Sequence, residues 1–233
     1  MDIARPPIVS QAEWEEALAS LRGQEETVAT AMHELAAARK RMPMVRIDQG
    51  YRFEGSDGEL SLVDLFDGRS QLVLYRFFFE EGVGGWPDAG CVGCSSVADG
   101  IPTLGLLHAR DITFAMAPPA PQANLRSYAE RMGWTDIPWY TIRSDRFSPD
   151  FGVEEWFGLN VFLRDGDDVY RTYFLQHGPM VQTIGSVWSV MSLTPYGGQC
   201  DDEEVPDGWP QAPFSFWYRR HDEFDEPAPS ARR

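Results

Sequence analysis

Residues Leu72 to Phe79 read LVLYRFFF, an apolar run broken by a single arginine. Alternate side chains of a strand point to opposite faces, so a strand with one wet face would place half of this run in water. The run suits a central strand covered on both faces, as in a sheet with helices on each side. Asp111 to Ala117 reads as a second strand, and Pro121 to Met132 as an amphipathic helix closed by Gly133 in the C-cap position. Ile137 to Ile142, Asn160 to Arg164 and Val169 to Leu175 read as further strands, the last two joined at Asp165-Gly166-Asp167, and Ile184 to Leu193 as a closing helix. A hairpin turning at Ser56, Asp57 and Gly58 precedes them. This order predicts an α/β sandwich with a mixed central sheet.

Two segments flank that core. Ser10 to Met42 predicts one long helix: Ser10 and Glu13 match a capping box, and Trp14, Leu21, Val28, Leu35 and Met42 recur every seven residues before Pro43 ends the pattern. Glu25 and Arg39 interrupt the second row formed by Leu18 and Met32, so a continuous coiled coil is not expected. A helix roughly 45 Å long, at about 1.5 Å per residue, must lie across the domain or against a second subunit, and a homodimer through this helix is expected. At the other end, Gly197, Gly198, Pro206, Gly208, Pro210 and Pro213 break regular structure around the acids Asp201 to Glu204. The predicted organisation is a helical extension over 1–43, a domain over 44–194, and a loop-rich extension with a tail over 195–233.

Composition removes several classes of function. The chain has 233 residues, 36 acidic and 20 basic, for a net charge of −16, which opposes both a phosphate backbone and an anionic membrane surface. Nucleic acid and membrane are therefore not expected partners. No run approaches the ~18 apolar residues of a spanning helix, and residues 1–10 carry no apolar signal core, so a cytosolic location is expected. Lys40 is the only lysine, which leaves Schiff-base chemistry almost without a candidate. At this length one core buries about 70 to 75% of the unfolded chain's surface, so folding requires neither metal nor disulfide.

The chemistry concentrates after the central run. A glycine-rich loop, Glu80 to Gly90, leads into Cys91-Val-Gly-Cys94, which opens a predicted helix through Asp99. A thiol at a helix start faces unpaired N–H groups and the positive end of the dipole, which favours the thiolate, the nucleophilic form. A partner two residues away can attack a mixed disulfide or a sulfenic acid on the first sulfur with little backbone movement. Cys200 stands apart, flanked by Gln199 and Asp201 in an acidic stretch whose charge disfavours a thiolate.

Pro87-Asp-Ala-Gly-Cys91-Val-Gly-Cys94 resembles the peroxiredoxin signature P-x-x-x-[TS]-x-x-C, and Ser144-Asp145 with Phe151-Gly152-Val153 resembles a further stretch of that superfamily. From about Ile8 to Phe224 the chain is similar to a bacterial thioredoxin-like family of unknown function related to alkyl hydroperoxide reductase. The shared blocks include HARDITFA, RMGW, VFLRDGD, LTPYG and WYRRHDEF. The resemblance implies a thioredoxin-like sandwich and a thiol-dependent oxidoreductase in which Cys91 and Cys94 cycle between dithiol and disulfide, reducing peroxides or disulfides without a cofactor. By resemblance Cys94 meets the oxidant and Cys91 resolves it; by the general logic of C-x-x-C proteins the more exposed Cys91 attacks a substrate disulfide. Cys91 stands where the signature has threonine, and Phe157, Gly158 and Leu159 stand where peroxiredoxins place an arginine, leaving Arg76, Arg143 and Arg164 as substitutes. No proline between Asp150 and Gly178 matches the cis-proline of thioredoxins.

Other candidates surround this pair. Trp86, with Pro87 in the glycine loop, is expected as a substrate-contacting lid over the thiols, while Tyr75, Phe77, Phe78 and Phe79 are expected in the core. A second function class would join Cys91, Cys94 and His177 around Cu(I) or, with a fourth ligand, Zn(II), as a thioredoxin-fold copper protein does in a comparable way. A third would keep the fold as a binding module with incidental cysteines. His108, His221 and the block Trp217 to Phe224 are expected to serve structure, tying the chain end to the sheet.

Overall fold

The computed structural model describes residues 4–47, 50–101, 103–153, 156–176 and 185–224. The chain divides into two compact units. One is Met1–Pro43 with Val205–Trp209, and the other is Met44–Glu204 with Pro210–Arg233.

The first unit carries helix α1 (Gln11–Lys40). Its start is the expected reciprocal cap: the Ser10 hydroxyl accepts the Glu13 N–H at 3.3 Å, and the Glu13 carboxylate accepts the Ser10 N–H at 2.9 Å. Arg39 and Lys40 place positive charge on the last turn, where exposed carbonyls favour it. The seven-residue row stays exposed along its whole length, from 38% at Leu35 to 58% at Val28. Among the described residues of this unit, Ala4 donates its N–H to the Gly208 carbonyl at 3.0 Å.

The second unit runs β1 (Val45–Arg46), β2 (Arg52–Gly55), β3 (Gly58–Ser61), β4 (Gln71–Arg76), α2 (Val92–Asp99), α3 (Gly105–His108) and β5 (Ile112–Met116). It continues with α4 (Gln122–Met132), β6 (Thr141–Ile142), α5 (Phe147–Asp150), β7 (Gly158–Asp165), β8 (Asp168–Leu175), α6 (Ser186–Met191) and α7 (Phe214–Trp217). The main sheet has the order β1-β8-β7-β4-β5. β5 runs parallel to β4, while β7 runs antiparallel to both β4 and β8. A small antiparallel sheet, β3-β2-β6, forms separately around the expected hairpin, in which Phe53 faces Leu60.

The alternation along β4 explains its apolar composition. Leu72 and Leu74 enter a core with Phe53, Phe66, Phe147, Phe151 and Phe162; Val73 and Tyr75 face the opposite core, with Phe77, Phe114, Leu125, Tyr128 and Trp134. Both faces are therefore dry, the condition under which a strand needs no polar side. α4 buries Leu125, Tyr128, Ala129 and Met132, one helical face, and Gly133 ends it with φ 72°, a conformation that glycine adopts without the Cβ clash of other residues.

Three expected elements end differently. The run Leu72 to Phe79 leaves the sheet after Arg76, because the Phe78 backbone pairs with the cysteine loop: its carbonyl accepts the Cys91 N–H at 2.9 Å and its N–H points at the Cys94 Sγ at 3.5 Å. The stretch Ile137 to Ile142 shortens to Thr141–Ile142 with one bridge from Trp139 to Met116, since Pro138 has no N–H to give a ladder. The closing helix covers Ser186–Met191, and Ile184 lies outside the described residues.

Candidate active site

The loop from β4 to α2 packs against side chains that leave no room for a Cβ at two of its glycines. A Cβ on Gly90 would lie 2.5 Å from the Phe77 ring, and one on Gly85, whose φ is 99°, would lie 2.8 Å from the Arg220 guanidinium. The loop delivers Cys91 to the N-cap of α2, with φ −55° and ψ 132°, and Cys94 to its first turn. Neither sulfur is bonded to another.

The two sulfurs have opposite surroundings. Cys91 is partly exposed, whereas Cys94 is buried at 1% exposure. Hydrogen bonding from the Cys94 thiol lowers the Cys91 pKa to about 6 against the opposing effect of burial, with help from the Cys94 and Gly93 N–H groups and the Tyr218 hydroxyl. The Tyr218 Oη lies 3.7 Å from the Cys91 Sγ. Cys94 is held well above the usual thiol range, first by burial and then by its hydrogen bond to Cys91 and the negative charge there. Tyr75, itself buried, reaches Cys94 with its hydroxyl. The pair thus consists of one accessible thiolate and one dry thiol that donates to it, the division of ionisation from which a nucleophile and its resolving partner are made.

A buried polar chain holds this arrangement. The Ser95 hydroxyl donates to the Cys91 carbonyl at 2.8 Å and lies 2.7 Å from the Tyr128 hydroxyl. Arg220, 7% exposed, gives Nε to the Tyr128 hydroxyl at 2.9 Å and its terminal nitrogens to the Gly84 carbonyl at 2.9 Å, the Gly90 carbonyl at 2.6 Å and Glu223 at 2.7 Å. One guanidinium fork, with its fixed donor directions, therefore closes the cysteine loop from the far end of the chain.

The other expected residues fall as follows. His221 places its ring Nδ1 2.7 Å from Asp99, and Asp222 pairs with Arg131 at 2.7 Å, so the block is tied to α2 and α4 and not to the sheet. Trp86 packs edge-on against Phe79 with ring centres 5.5 Å apart, and the Pro87 carbonyl accepts the Asn124 amide at 2.9 Å. Of the substitute arginines, Arg76 is bound to both Glu80 oxygens at 3.0 Å and to the Trp156 carbonyl at 2.6 Å, and Arg143 pairs with Glu54. Arg164 sits beside Ser70, at the end of β4 away from the cysteines. His177 lies outside the described residues, so of the expected metal set Cys91 and Cys94 are placed. Among the described residues, one group of three side chains with metal-ligating atoms draws together, Cys200, Asp201 and Asp202, with those atoms within 4.8 Å of one another. Burial and the hydrogen bond to Asp202 raise the Cys200 thiol, as its acidic neighbours implied.

Sequence reasoning did not single out Tyr75, Ser95, Tyr128, Tyr218 or Arg220 for this site. Tyr218 is 127 residues from Cys91 and carries no local motif; its one signal was membership in the block WYRRHDEF.

The strand order β5-β4-β7-β8, with β5 parallel and β7 antiparallel to β4, and a C-x-x-C opening the helix after β4, defines a thioredoxin-like α/β protein. Residues 3–224 match a family described as bacterial protein of unknown function, DUF899, and the chain belongs to that family. No curated protein matches the chain. Solved structures overlap it loosely. An uncharacterised conserved protein from Geobacillus kaustophilus has 15% identity and a TM-score of 0.39, covering 59% of this chain and 77% of its own. The pneumococcal exposed lipoprotein thioredoxin Etrx1 from Streptococcus pneumoniae has 13% identity and a TM-score of 0.36, covering 60% and 98%. Reduced Prx3 with hydrogen peroxide from Vibrio vulnificus has 12% identity and a TM-score of 0.39, covering 58% and 84%. The fold class rests on the strand order and not on these overlaps. Among the described residues, no helix is long and apolar enough to cross a membrane.

Proposed function

We propose that the protein is a thiol-disulfide oxidoreductase in which Cys91 is the nucleophile and Cys94 the resolving thiol. The observation that carries this reading is the contrast between the sulfurs: Cys91 partly exposed at a helix start with a pKa near 6, and Cys94 fully enclosed. The Cys91 thiolate attacks a substrate disulfide, forming a mixed disulfide and releasing one substrate thiolate, which takes a proton from water. Cys94 then attacks the Cys91 sulfur and releases the second substrate thiolate, which receives the Cys94 proton. The substrate gains two electrons, the protein ends as the Cys91–Cys94 disulfide, and an external thiol reductant returns it to the dithiol. A disulfide substrate is favoured over a peroxide because the peroxidatic position, Cys94, is enclosed, Arg76 and Arg143 are paired with Glu80 and Glu54, and Arg164 lies at the end of β4 away from the cysteines. Treatment with diamide is expected to remove two free thiols, with mass spectrometry placing the bond between Cys91 and Cys94. A bond from either to Cys200, or three untouched thiols, overturns the reading.

The apolar row of α1 supports a homodimer through that helix, since Trp14, Leu21, Val28 and Met42 are each about half exposed. Leu21→Glu combined with Val28→Glu is expected to lower the mass measured by light scattering from that of a dimer to that of one chain. A full-length wild-type chain already monomeric at micromolar concentration removes the proposal.

A further inference from the structure

Tyr218 follows α7 and stands at the mouth of the thiol site, 44% exposed, with its Oη 3.7 Å from the Cys91 Sγ. Its position is held from both sides. The Tyr218 N–H donates to the Phe214 carbonyl at 2.9 Å, and the two rings pack with centres 5.2 Å apart. Two residues later Arg220 is fastened to the carbonyls of the cysteine loop itself. The segment bearing the phenol and the loop bearing the sulfur are therefore tied to each other through buried hydrogen bonds.

A phenol beside a thiol can either give or take a hydrogen bond, and the ionisation of the pair decides which. Burial and the hydrogen bond and charge of Cys91 push Tyr218 up to about 12, so it keeps its proton across neutral pH and acts as the donor. A thiolate offers only acceptor lone pairs, and a charged acceptor strengthens the bond over that of a neutral thiol.

We propose that Tyr218 is a third residue of the thiol site, whose hydroxyl donates to the Cys91 sulfur, holds the thiolate form and aims the sulfur outward for attack. This rests on the assignment of Cys91 as nucleophile and adds to it a residue from the opposite end of the chain. The C-terminal segment thereby becomes part of the reactive centre as well as its fastening.

The test is alkylation by iodoacetamide across pH 4 to 9 in full-length protein carrying Cys200→Ser, with and without Tyr218→Phe. Phenylalanine keeps the ring and its packing on Phe214 and removes only the donor. The rate midpoint is expected to rise by about one unit, so that the reactive fraction at pH 5 falls about tenfold. The rate on the alkaline plateau stays equal or increases, because a less stabilised thiolate is the stronger nucleophile. A midpoint unchanged by Tyr218→Phe overturns the role of Tyr218 while leaving Cys91 as nucleophile. An equal rise in Trp217→Phe overturns it too, by showing that the segment's packing and not the hydroxyl sets the midpoint. A parent protein with no thiol titrating near pH 6 overturns both this proposal and the assignment of Cys91.

Discussion

Replacing Cys91 by serine is expected to abolish rapid alkylation at pH 7, whereas replacing Cys94 by alanine is expected to preserve a reactive thiol and to trap substrate as a mixed disulfide. The reasoning follows from burial and charge. Cys91 is the sulfur that solvent reaches, and it is ionised above about pH 6; Cys94 is enclosed and holds its proton through neutral pH. In Cys91→Ser the remaining site thiol is the dry, protonated one, so modification should wait for opening of the loop. In Cys94→Ala the nucleophile persists but loses its strongest hydrogen-bond donor, and its midpoint should move up from about 6 toward the ordinary thiol value of 9.0. Without a resolving sulfur the mixed disulfide cannot be released internally, and it accumulates one to one with protein. The reverse pattern, a fast thiol in Cys91→Ser and none in Cys94→Ala, would assign the nucleophile to Cys94, as the peroxiredoxin signature implies.

The second large effect is on stability. Arg220→Ala removes one side chain and leaves the Gly84 and Gly90 carbonyls, the Tyr128 hydroxyl and Glu223 without the partner they share. Breaking such a buried charged contact by deleting one partner costs about 3 to 5 kcal/mol, and for a chain of this size Tm should fall by roughly 6 to 20 °C. Lysine should recover only part of the loss, since a single ammonium cannot reproduce a fork that serves four acceptors. The thiol site should register the change as well, because two of those acceptors lie in the loop that leads to Cys91. A Tm within about 2 °C of wild type in Arg220→Ala would show that water replaces the guanidinium at little cost and that the clamp is dispensable.

Much of the architecture was legible because its causes are local. The Ser10 and Glu13 cap, the seven-residue row of α1, the face of α4 and the glycine that ends it are all set within a turn or two of chain, where 3.6-residue periodicity is written directly in the residues. The burial of β4 on both faces could also be read, since a run without a polar side leaves no alternative. The same local logic failed where the backbone had a distant partner. Nothing in LVLYRFFF marks Arg76 as the last strand residue; the strand ends there because Phe78 pairs with Cys91 and Cys94, which lie 13 and 16 positions further on. The ring of Trp86 packs against Phe79, and a contact at the sulfur that no local pattern announced comes from Tyr218.

The amino-acid sequence by itself determined that two cysteines open a helix after an apolar strand covered on both faces, in an acidic chain with an amphipathic N-terminal helix. Those properties depend on spacing and composition, which survive any choice of tertiary packing. Only the tertiary structure decided which cysteine is accessible, which is dry, and which side chains from the last twenty described residues reach them. Ionisation of a thiol depends on burial and on donors within a few ångströms, and at Cys91 those donors come both from its own helix and from Tyr218, 127 residues away. The contrast between the two sulfurs is therefore set partly inside the motif, by the Cys94 thiol and the Cys94 and Gly93 N–H groups, and partly by the folded surroundings that bury Cys94 and bring Tyr218 to Cys91.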